Sequence, residues 1–538
     1  MTVADVVGRA LVGAGIDTVF GVVGSGNFVV TNAMVAAGAR YVAARHEGGA
    51  ATMADAYARM SGRPAAVTVH QGCGLTNALT GITEAAKSRT PLVVVAAEAT
   101  QPRSNFAVDQ AALAAAVGAV PMRVDSAAEA GERAAAAVAT AVRDRRVVLL
   151  NLRLDVQGQE ATAGPVAAPP APMDVVIDLA GVAELARAID AAQRPVFVAG
   201  RGARGSRAAL ESLAERCGAL LATSAVAKGL FAGNPWSLDV SGGFASPLAA
   251  ELISGADLIV GWGCQLNMWT MRHGRLIADD AVVVQVDLDA DALGAQRPIA
   301  FGVLGHVRAV AEAVECEART GYRTPEVRAA IAERIRWRDV PFDDLGGGGR
   351  IDPRALTIAL DDLLPAERVL AVDSGNFMGY PSMFLDVPDE FGFCFTQAFQ
   401  SIGLGLSTAI GAALARPDRL PVAALGDGGA LMGASELETV VRLGLPMVVV
   451  VYDDAAYGAE VHHFGPHGLP LETVRFPETD FASMARGYGF EAVTARTVED
   501  LSPVADWLAG SRAAPLLIDA KVAADEPSWW LEEAFRGH

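Results

Sequence analysis

Two acidic residues that each follow a buried apolar strand are the strongest candidates for chemistry in this chain. Asp427 lies in the turn Gly426-Asp427-Gly428-Gly429 after the apolar run 420–425, and Asp454 follows the β-branched run 447–451. Because the carboxyl ends of parallel strands share one edge of a sheet, a helix across 430–443 would bring both carboxylates to the rim where open α/β sheets bind ligands. Glycine lets backbone N–H groups approach a phosphate, and carboxylate oxygens suit Mg²⁺. The pattern indicates a phosphate and metal site, although an ordinary turn with surface acids would have the same short motif.

The elements that would position these residues are apolar strands and amphipathic helices that alternate along the whole chain. With 538 residues and 52% hydrophobic content, the chain can form about three domains of the usual size. The alternation predicts an α/β fold of three doubly wound parallel-sheet domains, at residues 1–165, 175–325 and 345–538. A stretch rich in Ala, Pro and Gly at 157–173 and a glycine-rich stretch at 342–350 are typical of linkers.

Charge and cysteine usage limit the classes of partner and compartment. The formal net charge of −19 argues against nucleic acids and anionic membranes as partners. Five cysteines without a CxxC motif are typical of free thiols in a reducing compartment. The segment 1–16 has neither the basic cluster nor the apolar core of a signal peptide, and no uncharged apolar run reaches the length of a membrane span. We therefore expect a cytoplasmic protein that acts on a small molecule.

Three further polar residues stand at the ends of predicted strands in the first domain. Glu47 opens a helix rich in small residues, His70 follows an apolar strand, and Ser25 lies in a glycine turn. A carboxylate in a dry pocket can exchange a proton, and an imidazole can do so near neutral pH. Each residue also has an ordinary structural interpretation, as a helix-capping acid, a core histidine and a turn residue.

Several separated motifs resemble those of the thiamine-diphosphate-dependent decarboxylases and carboligases. This family includes acetolactate synthases, pyruvate decarboxylases and benzoylformate decarboxylases. The stretch 45–64, RHEGGAATMADAYARMSGRP, is similar to its aminopyrimidine-binding motif, and the run 70–77, HQGCGLTN, to its glycine-rich loop. The run 400–405, QSIGLG, resembles the turn that holds the cofactor's rings, and the Asp427 turn resembles the diphosphate-binding motif. The resemblance extends over nearly the whole chain.

The resemblance implies a site for thiamine diphosphate and Mg²⁺. It implies that Glu47 hydrogen-bonds the aminopyrimidine ring, that Ile402 lies between the two rings, and that the Gln400 carbonyl accepts from the exocyclic amino group. Asp427, Asp454 and the Ala456 carbonyl would bind the metal, although Asp454 stands where family members usually have Asn. The implied cofactor contacts in full are Glu47, Ser374, Gln400, Ile402, Gly426, Asp427, Gly428, Gly429, Asp454, Ala456 and Tyr457.

The resemblance also implies the reaction. The chain would decarboxylate a 2-oxo acid and then protonate the enamine or transfer it to a second carbonyl compound. A cofactor held between Glu47 of one subunit and the Asp427 domain of another would require a homodimer or homotetramer. Ser25, His70 and Glu460 fit decarboxylation, or a carboligation other than acetolactate synthesis. The implied catalytic residues are Glu47, His70, Glu460, Ser25 and Gln110.

Two other functions remain open from the sequence. The run Gly200–Gly205 is a literal GxGxxG after a strand, as in a nucleotide- or flavin-dependent oxidoreductase. A dinucleotide site needs an acid at the end of the next strand, and 220–225 contains none. The Phe-Asp-Asp-Arg type of stretch of FAD-dependent acetolactate synthases is also missing, and 263–269 stands in its place, so FAD is not expected. The second alternative is a catalytically silent homologue, which would not bind thiamine diphosphate.

Overall fold

Three six-stranded sheets, each made of parallel strands, form the framework of the protein and confirm the predicted α/β fold. The structure is a computed structural model that describes residues 1–162, 164, 168–169 and 177–534. Part of the predicted linker at 157–173 lies outside the described residues. The predicted domain limits at 165 and 175 also lie outside them. None of the helices in the described ranges is long and apolar enough to span a membrane.

Each sheet alternates with helices along the chain. The first unit consists of α1 (Val3–Gly13), β1 (Thr18–Gly21), α2 (Phe28–Ala36), β2 (Arg40–Ala43), α3 (Glu47–Ser61), β3 (Ala65–Val69), α4 (Cys73–Lys87), β4 (Leu92–Glu98), α5 (Gln110–Ala116), β5 (Val120–Val124), α6 (Ala130–Asp144), β6 (Val147–Arg153) and α7 (Leu154–Gln157). The second consists of α8 (Leu179–Ala191), β7 (Pro195–Ala199), α9 (Arg207–Cys217), β8 (Leu220–Thr223), β9 (Ser237–Val240), α10 (Pro247–Ser254), β10 (Leu258–Trp262), β11 (Val282–Asp287), β12 (Phe301–Leu304), α11 (Val307–Ala313) and α12 (Pro325–Arg334). The third consists of α13 (Pro353–Leu363), β13 (Arg368–Val372), α14 (Gly379–Phe384), β14 (Phe393–Phe395), α15 (Gly405–Ala415), β15 (Leu420–Gly426), α16 (Asp427–Met432), α17 (Glu436–Arg442), β16 (Val448–Asp453), α18 (Gly458–Phe464), α19 (Phe481–Tyr488), β17 (Glu491–Ala495), α20 (Ser502–Ala509), β18 (Leu516–Lys521) and α21 (Trp529–Ala534).

The strand order places predicted site residues at positions where such sheets bind ligands. The first sheet has the order β2-β1-β3-β4-β6-β5, and the third has the equivalent order β14-β13-β15-β16-β18-β17. The second, β12-β11-β10-β7-β8-β9, reverses between β10 and β7. Open α/β sheets bind ligands where the order reverses, at the carboxyl ends of the strands. His70 follows β3, Ser374 comes soon after β13, and Asp427 follows β15, so all three lie at such points.

One predicted helix is divided in the structure. The stretch 430–443 forms two helices, α16 and α17, which are separated by residues 433–435. Gly433 ends α16, in keeping with the low helix propensity of glycine. The division turns α17 toward the first unit, where Glu436 makes contacts described below.

Helices α3 and α15 pack against each other and join the first and third units. One cluster of buried side chains includes Met53 of α3, Ile410 of α15 and Leu425 of β15. The helices approach each other closely at Gly411 of α15. A Cβ atom added there would overlap with the carbonyl oxygen of Met53. The two units therefore share a hydrophobic core within one chain.

We expect Gly411→Ala to lower the free energy of unfolding by about 1–3 kcal/mol, because the added methyl group would push α15 away from α3. Urea unfolding followed by circular dichroism measures this change. Gly487→Ala, in α19, is the matched control because nothing lies within 4 Å of its Cβ position. The control should be neutral or stabilising, since alanine favours helix. Equal destabilisation by the two variants would show that the close approach at Gly411 does not matter.

Candidate functional site

A buried carboxylate, Asp373, connects the turns at the switch point of the third sheet. It accepts hydrogen bonds from the backbone N–H groups of Ser374 at 2.8 Å, Gly403 at 3.0 Å and Leu404 at 3.2 Å. A Cβ atom at Gly429 would overlap with Asp373, so the turn after β15 also packs against it. Burial raises the pKa of Asp373 to about 6, although the N–H donors lower it. The sequence places Asp373 in the same strand-end run as Ser374, but it does not predict that Asp373 sets the relative positions of Ser374 and Gly429.

Asp427 and Asp454 lie close together at the same edge. Burial and then the charge of Asp453 together raise the pKa of Asp427 to about 7. Burial and then the charge of Asp427 together raise the pKa of Asp454 to about 8. The N–H of Ala456 donates to Asp454 at 3.2 Å, so the Ala456 backbone is next to both carboxylates. A cation would relieve the burial and repulsion of these two charges.

The donor set fits a hard cation that shares its ligands with a phosphate. No group of three His, Cys, Asp or Glu side chains suited to a metal occurs in the described part of the chain. Mg²⁺ commonly takes one or two carboxylates and completes its shell with phosphate oxygens and water. The glycines beside Asp427 are required by close packing: a Cβ atom at Gly428 would lie 2.6 Å from the Tyr457 ring, and one at Gly426 would lie 3.0 Å from the Phe377 ring.

The turn that carries Gln400 and Ile402 reaches the surface beside Gly429. Gln400 has a φ of 60°, a left-handed conformation that is uncommon for a residue other than glycine. Ile402 is 36% exposed, and Leu431 and Met432 on α16 are 49% and 52% exposed. A Cβ atom at Gly403 would lie 2.8 Å from the Met432 Cβ, so this turn and α16 form one apolar surface. Large apolar side chains at such exposure are typical of a surface that a ligand or subunit covers.

The structure brings Ser25 and His70 together at the switch point of the first sheet. The His70 Nδ1 lies 3.0 Å from the Gln71 carbonyl, and its Nε2 lies 3.4 Å from the Ser25 hydroxyl. A carbonyl oxygen only accepts, so Nδ1 carries the proton and Nε2 is left to accept from Ser25. The Phe106 ring packs against the imidazole with its centroid 5.0 Å away. The pair has a geometry in which a hydroxyl and an imidazole can pass a proton between them.

Glu47 begins α3 and faces the first turn of α4. The Asn77 side chain donates to its Oε2 at 3.1 Å, and a Cβ atom at Gly74 would lie 3.3 Å from its Oε1. Glu47 belongs to the first unit, and Asp427 and Asp454 belong to the third, so each unit carries its own set of predicted site residues.

Gln110 has a structural environment. Its side chain is buried, accepts from the Gly72 N–H at 3.0 Å, and donates to the Ala97 carbonyl at 3.1 Å and to Asn151 at 2.7 Å. Both amide hydrogens are therefore used inside the first unit. These bonds hold the loop after His70, while a direct catalytic role for Gln110 stays a prediction.

Glu460 lies on α18, which follows Asp454 and Tyr457 directly. Its neighbour His462 has an Nε2 that is buried without a hydrogen-bond partner among the described residues, and burial lowers the pKa of this imidazole. Helix α18 thus places a partly exposed carboxylate and a neutral imidazole close to the predicted diphosphate turn. The sequence predicts that either His462 or His463, which follow Glu460, lines the mouth of the site, and this stays a prediction.

The GxGxxG run in the second unit has a packing explanation. A Cβ atom at Gly200 would overlap with the Gly263 carbonyl, and Gly202 also packs on Gly263. These glycines let the turns after β7 and β10 cross closely. A cavity of about 580 Å³ lies beside them and extends to Ser374 and Gln400. Burial, with the charge of Arg59 as the next cause, lowers the pKa of Arg201 at this cavity to about 9.

Family models match three separate parts of the chain. Residues 1–119 match the N-terminal TPP binding domain of thiamine pyrophosphate enzymes, 182–314 the central domain, and 373–520 the C-terminal TPP binding domain. TPP is thiamine pyrophosphate, the same compound as thiamine diphosphate. Each matched range falls on one of the three sheets, and together they cover most of the chain.

Curated relatives are similar over almost their full length. A sulfoacetaldehyde acetyltransferase of Alcaligenes xylosoxydans is 28% identical, across 94% of this chain and 89% of the relative. A probable 2-ketoarginine decarboxylase of Pseudomonas aeruginosa is 29% identical, across 91% and 88%. A putative acetolactate synthase large subunit of Mycobacterium tuberculosis is 28% identical, across 92% and 93%.

These relatives are named for different reactions, while the family models agree on one cofactor and one domain order. The predicted resemblance is therefore confirmed at the level of the family. The chain belongs to the thiamine-diphosphate-dependent enzymes.

Proposed function

We propose that this protein removes CO₂ from a 2-oxo acid and delivers the remaining acyl unit either to a proton or to a second carbonyl compound. When bound, thiamine diphosphate supplies the electron sink for the decarboxylation. The observation that carries the proposal is the edge of the third sheet, where Asp427 and Asp454 adjoin a glycine turn and the exposed Ile402. The relatives' names support both outcomes, since they include a decarboxylase, an acetyltransferase and a synthase.

In this proposal the third unit holds the diphosphate end of the cofactor. Asp427, Asp454 and the Ala456 carbonyl bind Mg²⁺, and backbone N–H groups of the turn 426–429 bind the diphosphate. Tyr457 lies over the same turn, and Ser374 lies at the adjacent strand end. Gln400 and Ile402 contact the rings of the cofactor.

The first unit contributes the proton chemistry. Glu47 accepts a hydrogen bond from Asn77, which orients the carboxylate toward the site. Ser25 and His70 are placed to give or take a proton at the substrate, and Glu460 faces the site from α18. A neutral imidazole next to a hydroxyl can transfer a proton near pH 7.

We further propose a cytoplasmic homodimer or homotetramer in which each site is shared. The support for this arrangement is the exposed apolar surface that Ile402, Leu431 and Met432 form on the third unit. A second subunit that covers this surface would bring its own Glu47 to the Asp427 turn. The domains in this arrangement correspond to residues 1–165, 175–325 and 345–538.

The cavity beside Gly200 is the proposed entrance for the acid substrate. It extends to Ser374 and Gln400 and is bordered by Lys87, Arg89 and Arg201. Arg89 already pairs with Asp289, whereas the buried guanidinium of Arg201 would be stabilised by an anion. A 2-oxo acid has the charge that this cavity would bind.

A screen for CO₂ release tests the proposal. The protein is supplied with thiamine diphosphate and Mg²⁺ and incubated with a panel of 2-oxo acids, with and without acceptor aldehydes. Release without an acceptor indicates a decarboxylase, and release that depends on the aldehyde indicates a carboligase. If calorimetry shows no binding of thiamine diphosphate with Mg²⁺, the proposal fails and a silent homologue is indicated.

We expect His70→Ala to lower kcat about 10²-fold, because the site loses a proton carrier. Ser25→Ala should have a smaller effect, since the imidazole remains. His306→Ala, in the second unit, is the control for removal of a histidine. Steady-state CO₂ release as a function of pH measures the effect. If the His70 variant keeps both the rate and the pH profile of the wild type, His70 does not handle a proton.

A further inference from the structure

Two buried carboxylates, one in the first unit and one in the third, each accept hydrogen bonds from the backbone of the other unit. Glu84 of α4, in the first unit, accepts hydrogen bonds from the N–H groups of Ala398 at 3.1 Å and Phe399 at 2.6 Å, in the third unit. Glu436 of α17, in the third unit, accepts from the N–H groups of Arg45 at 2.9 Å and His46 at 3.0 Å, in the first. The contacts are therefore reciprocal.

Glu84 is stabilised in its buried position by a cation. The Arg59 guanidinium contacts the Glu84 carboxylate at 2.8 Å and donates to the Phe395 carbonyl at 2.9 Å. Burial by itself raises the pKa of Glu84, but Arg59 and the two N–H donors bring it below its usual value. Glu84 is thus an ionised acceptor, and Arg59 holds the same segment at a second point.

Glu436 is held mainly by neutral donors. Its side chain is buried, and the Thr439 hydroxyl donates to Oε2 at 2.6 Å while Oε1 accepts from the first unit. A Cβ atom at Gly49 would lie 2.6 Å from the same oxygen, so α3 begins directly on this carboxylate. The side chain of Arg45 instead pairs with Glu438. Three donors thus end on the two carboxyl oxygens of Glu436, which tie α17 to the backbone before α3.

Each held segment leads directly into a residue proposed to contact the cofactor. Arg45 and His46 immediately precede Glu47. Phe399 immediately precedes Gln400, whose left-handed backbone leads to Ile402. A strained turn keeps its conformation only when surrounding contacts fix it. The two carboxylates are in position to supply those contacts.

We infer that Glu436 and Glu84 are positioning residues for the site: Glu436 places Glu47, and Glu84 places the turn of Gln400 and Ile402. The inference rests on the proposed function, because the roles of Glu47 and Ile402 belong to it. Neither carboxylate touches the cofactor in this arrangement. Their effects on the site are transmitted through the backbone of the other unit.

The two substitutions should produce different defects. Glu84→Gln must turn an NH₂ group toward one of the two N–H donors, so it breaks a hydrogen bond and loosens the Ile402 turn. We expect the Kd of thiamine diphosphate with Mg²⁺ to rise about tenfold. Glu436→Gln keeps the shape but weakens the acceptor, and Glu436→Ala removes it. We expect both to slow kcat, about tenfold for the alanine variant, with KM and cofactor Kd nearly unchanged.

Two further measurements separate positioning from general loss of stability. Amide hydrogen exchange followed by mass spectrometry should speed up at 398–399 in the Glu84 variant and at 45–46 in the Glu436 variants. Hydrogen–deuterium exchange at the reactive ring carbon of bound cofactor, followed by NMR, should slow only in the Glu436 variants, because this step needs Glu47. If Glu436→Ala does not fold, Glu436→Gln carries the test.

Each variant has a matched control in the same unit. Asp55→Asn removes another buried carboxylate that pairs with Arg59 but does not bind the 398–399 backbone. Glu438→Gln removes an acid of α17 whose partners, among the residues that the structure describes, are the Arg45 and Arg442 side chains. If wild type binds the cofactor and each variant behaves as its control, the inference is wrong. If wild type itself binds no thiamine diphosphate, the proposed function fails, and this inference fails with it.

Discussion

Glu47→Gln is expected to lower turnover of the best 2-oxo acid about 10³- to 10⁴-fold, the upper part of the range for loss of general acid–base catalysis. Glutamine keeps the size of the side chain and its contact with Asn77 but cannot exchange a proton. The fold should not change, because Glu47 lies at the start of α3, whose N-terminus is also held by Glu436. The loss should therefore appear in kcat and leave KM nearly unaltered.

Calorimetry with thiamine diphosphate and Mg²⁺ is the control for this result. We expect the Glu47 variant to bind the cofactor within about tenfold of wild type, because a single neutral hydrogen bond contributes about 0.5–1.5 kcal/mol. Turnover within tenfold of wild type would show that Glu47 is not the acid–base group.

Mixed subunits test whether the site is shared. Chains with Glu47→Gln are mixed, after dissociation, with chains that carry Asp427→Asn. In a shared site, a mixed dimer has one site with both defects and one site with neither. Activity should therefore reappear on mixing two inactive proteins, whereas sites contained in single chains would remain inactive.

Asp427→Asn is expected to weaken Mg²⁺-dependent cofactor binding by about 10²- to 10³-fold, whereas Asp454→Asn should bind at least as well as wild type. Loss of one partner of a buried charge pair costs about 3–5 kcal/mol, and Asp427 would lose its charge next to the metal. Asp454 is different because its negative charge lies beside both Asp427 and the diphosphate. An amide oxygen at 454 keeps a ligand and removes the repulsion.

The pH dependence of binding follows from the raised pKa values of these carboxylates. Asp427 has a pKa of about 7 and Asp454 of about 8, so protons compete with the cation below pH 8. Cofactor affinity in Mg²⁺ should fall as the pH decreases from 8 to 6. Titrations at three pH values measure this, and Asp454→Asn should flatten the dependence. An unchanged slope in that variant would contradict the assignment.

The same shifts predict a pH effect on the stability of the protein without metal. The folded state binds more protons than the unfolded state between the ordinary aspartate pKa and about 8, so stability should fall as pH rises through this window. Thermal unfolding without added metal should therefore occur at a lower temperature at pH 8 than at pH 6. Mg²⁺ with thiamine diphosphate should reverse the order.

The sequence was sufficient to predict the fold class and the sheet edges that carry the candidate residues. Strand–helix alternation predicts parallel sheets, and the residue that follows a strand must lie at its carboxyl end. Asp427, Asp454 and His70 are all of this kind. The proximity of Ser25 to His70 also follows, because β1 and β3 are neighbours at the switch point of the first sheet.

Residues that act across large sequence separations were not predictable in the same way. Glu84 and Glu436 look like ordinary helix acids in the sequence, and their buried roles arise only when two units meet. Asp373 is similar, since its partners come from a separate turn. The Gln110 side chain is of a type that could serve in a site, but in the structure its amide oxygen accepts from the Gly72 N–H and holds the loop after His70. Gly200 and Gly202 belong to a run that matches a nucleotide-binding motif, but both are glycine because two turns cross closely at these positions.

The equal strand order of the first and third sheets gives the reciprocal contacts an internal twofold symmetry. Glu84 lies on the helix after the third strand of its sheet, and Glu436 lies after the third strand of the other. The segments that they hold follow the second strand of each sheet, at 45–46 and 398–399. Helices α3 and α15, which pack together, are the next elements in both. A single chain is thus built like a dimer of two diverged copies, as expected after internal gene duplication. In the proposed function, one copy would carry the acid–base residues and the other would bind the diphosphate.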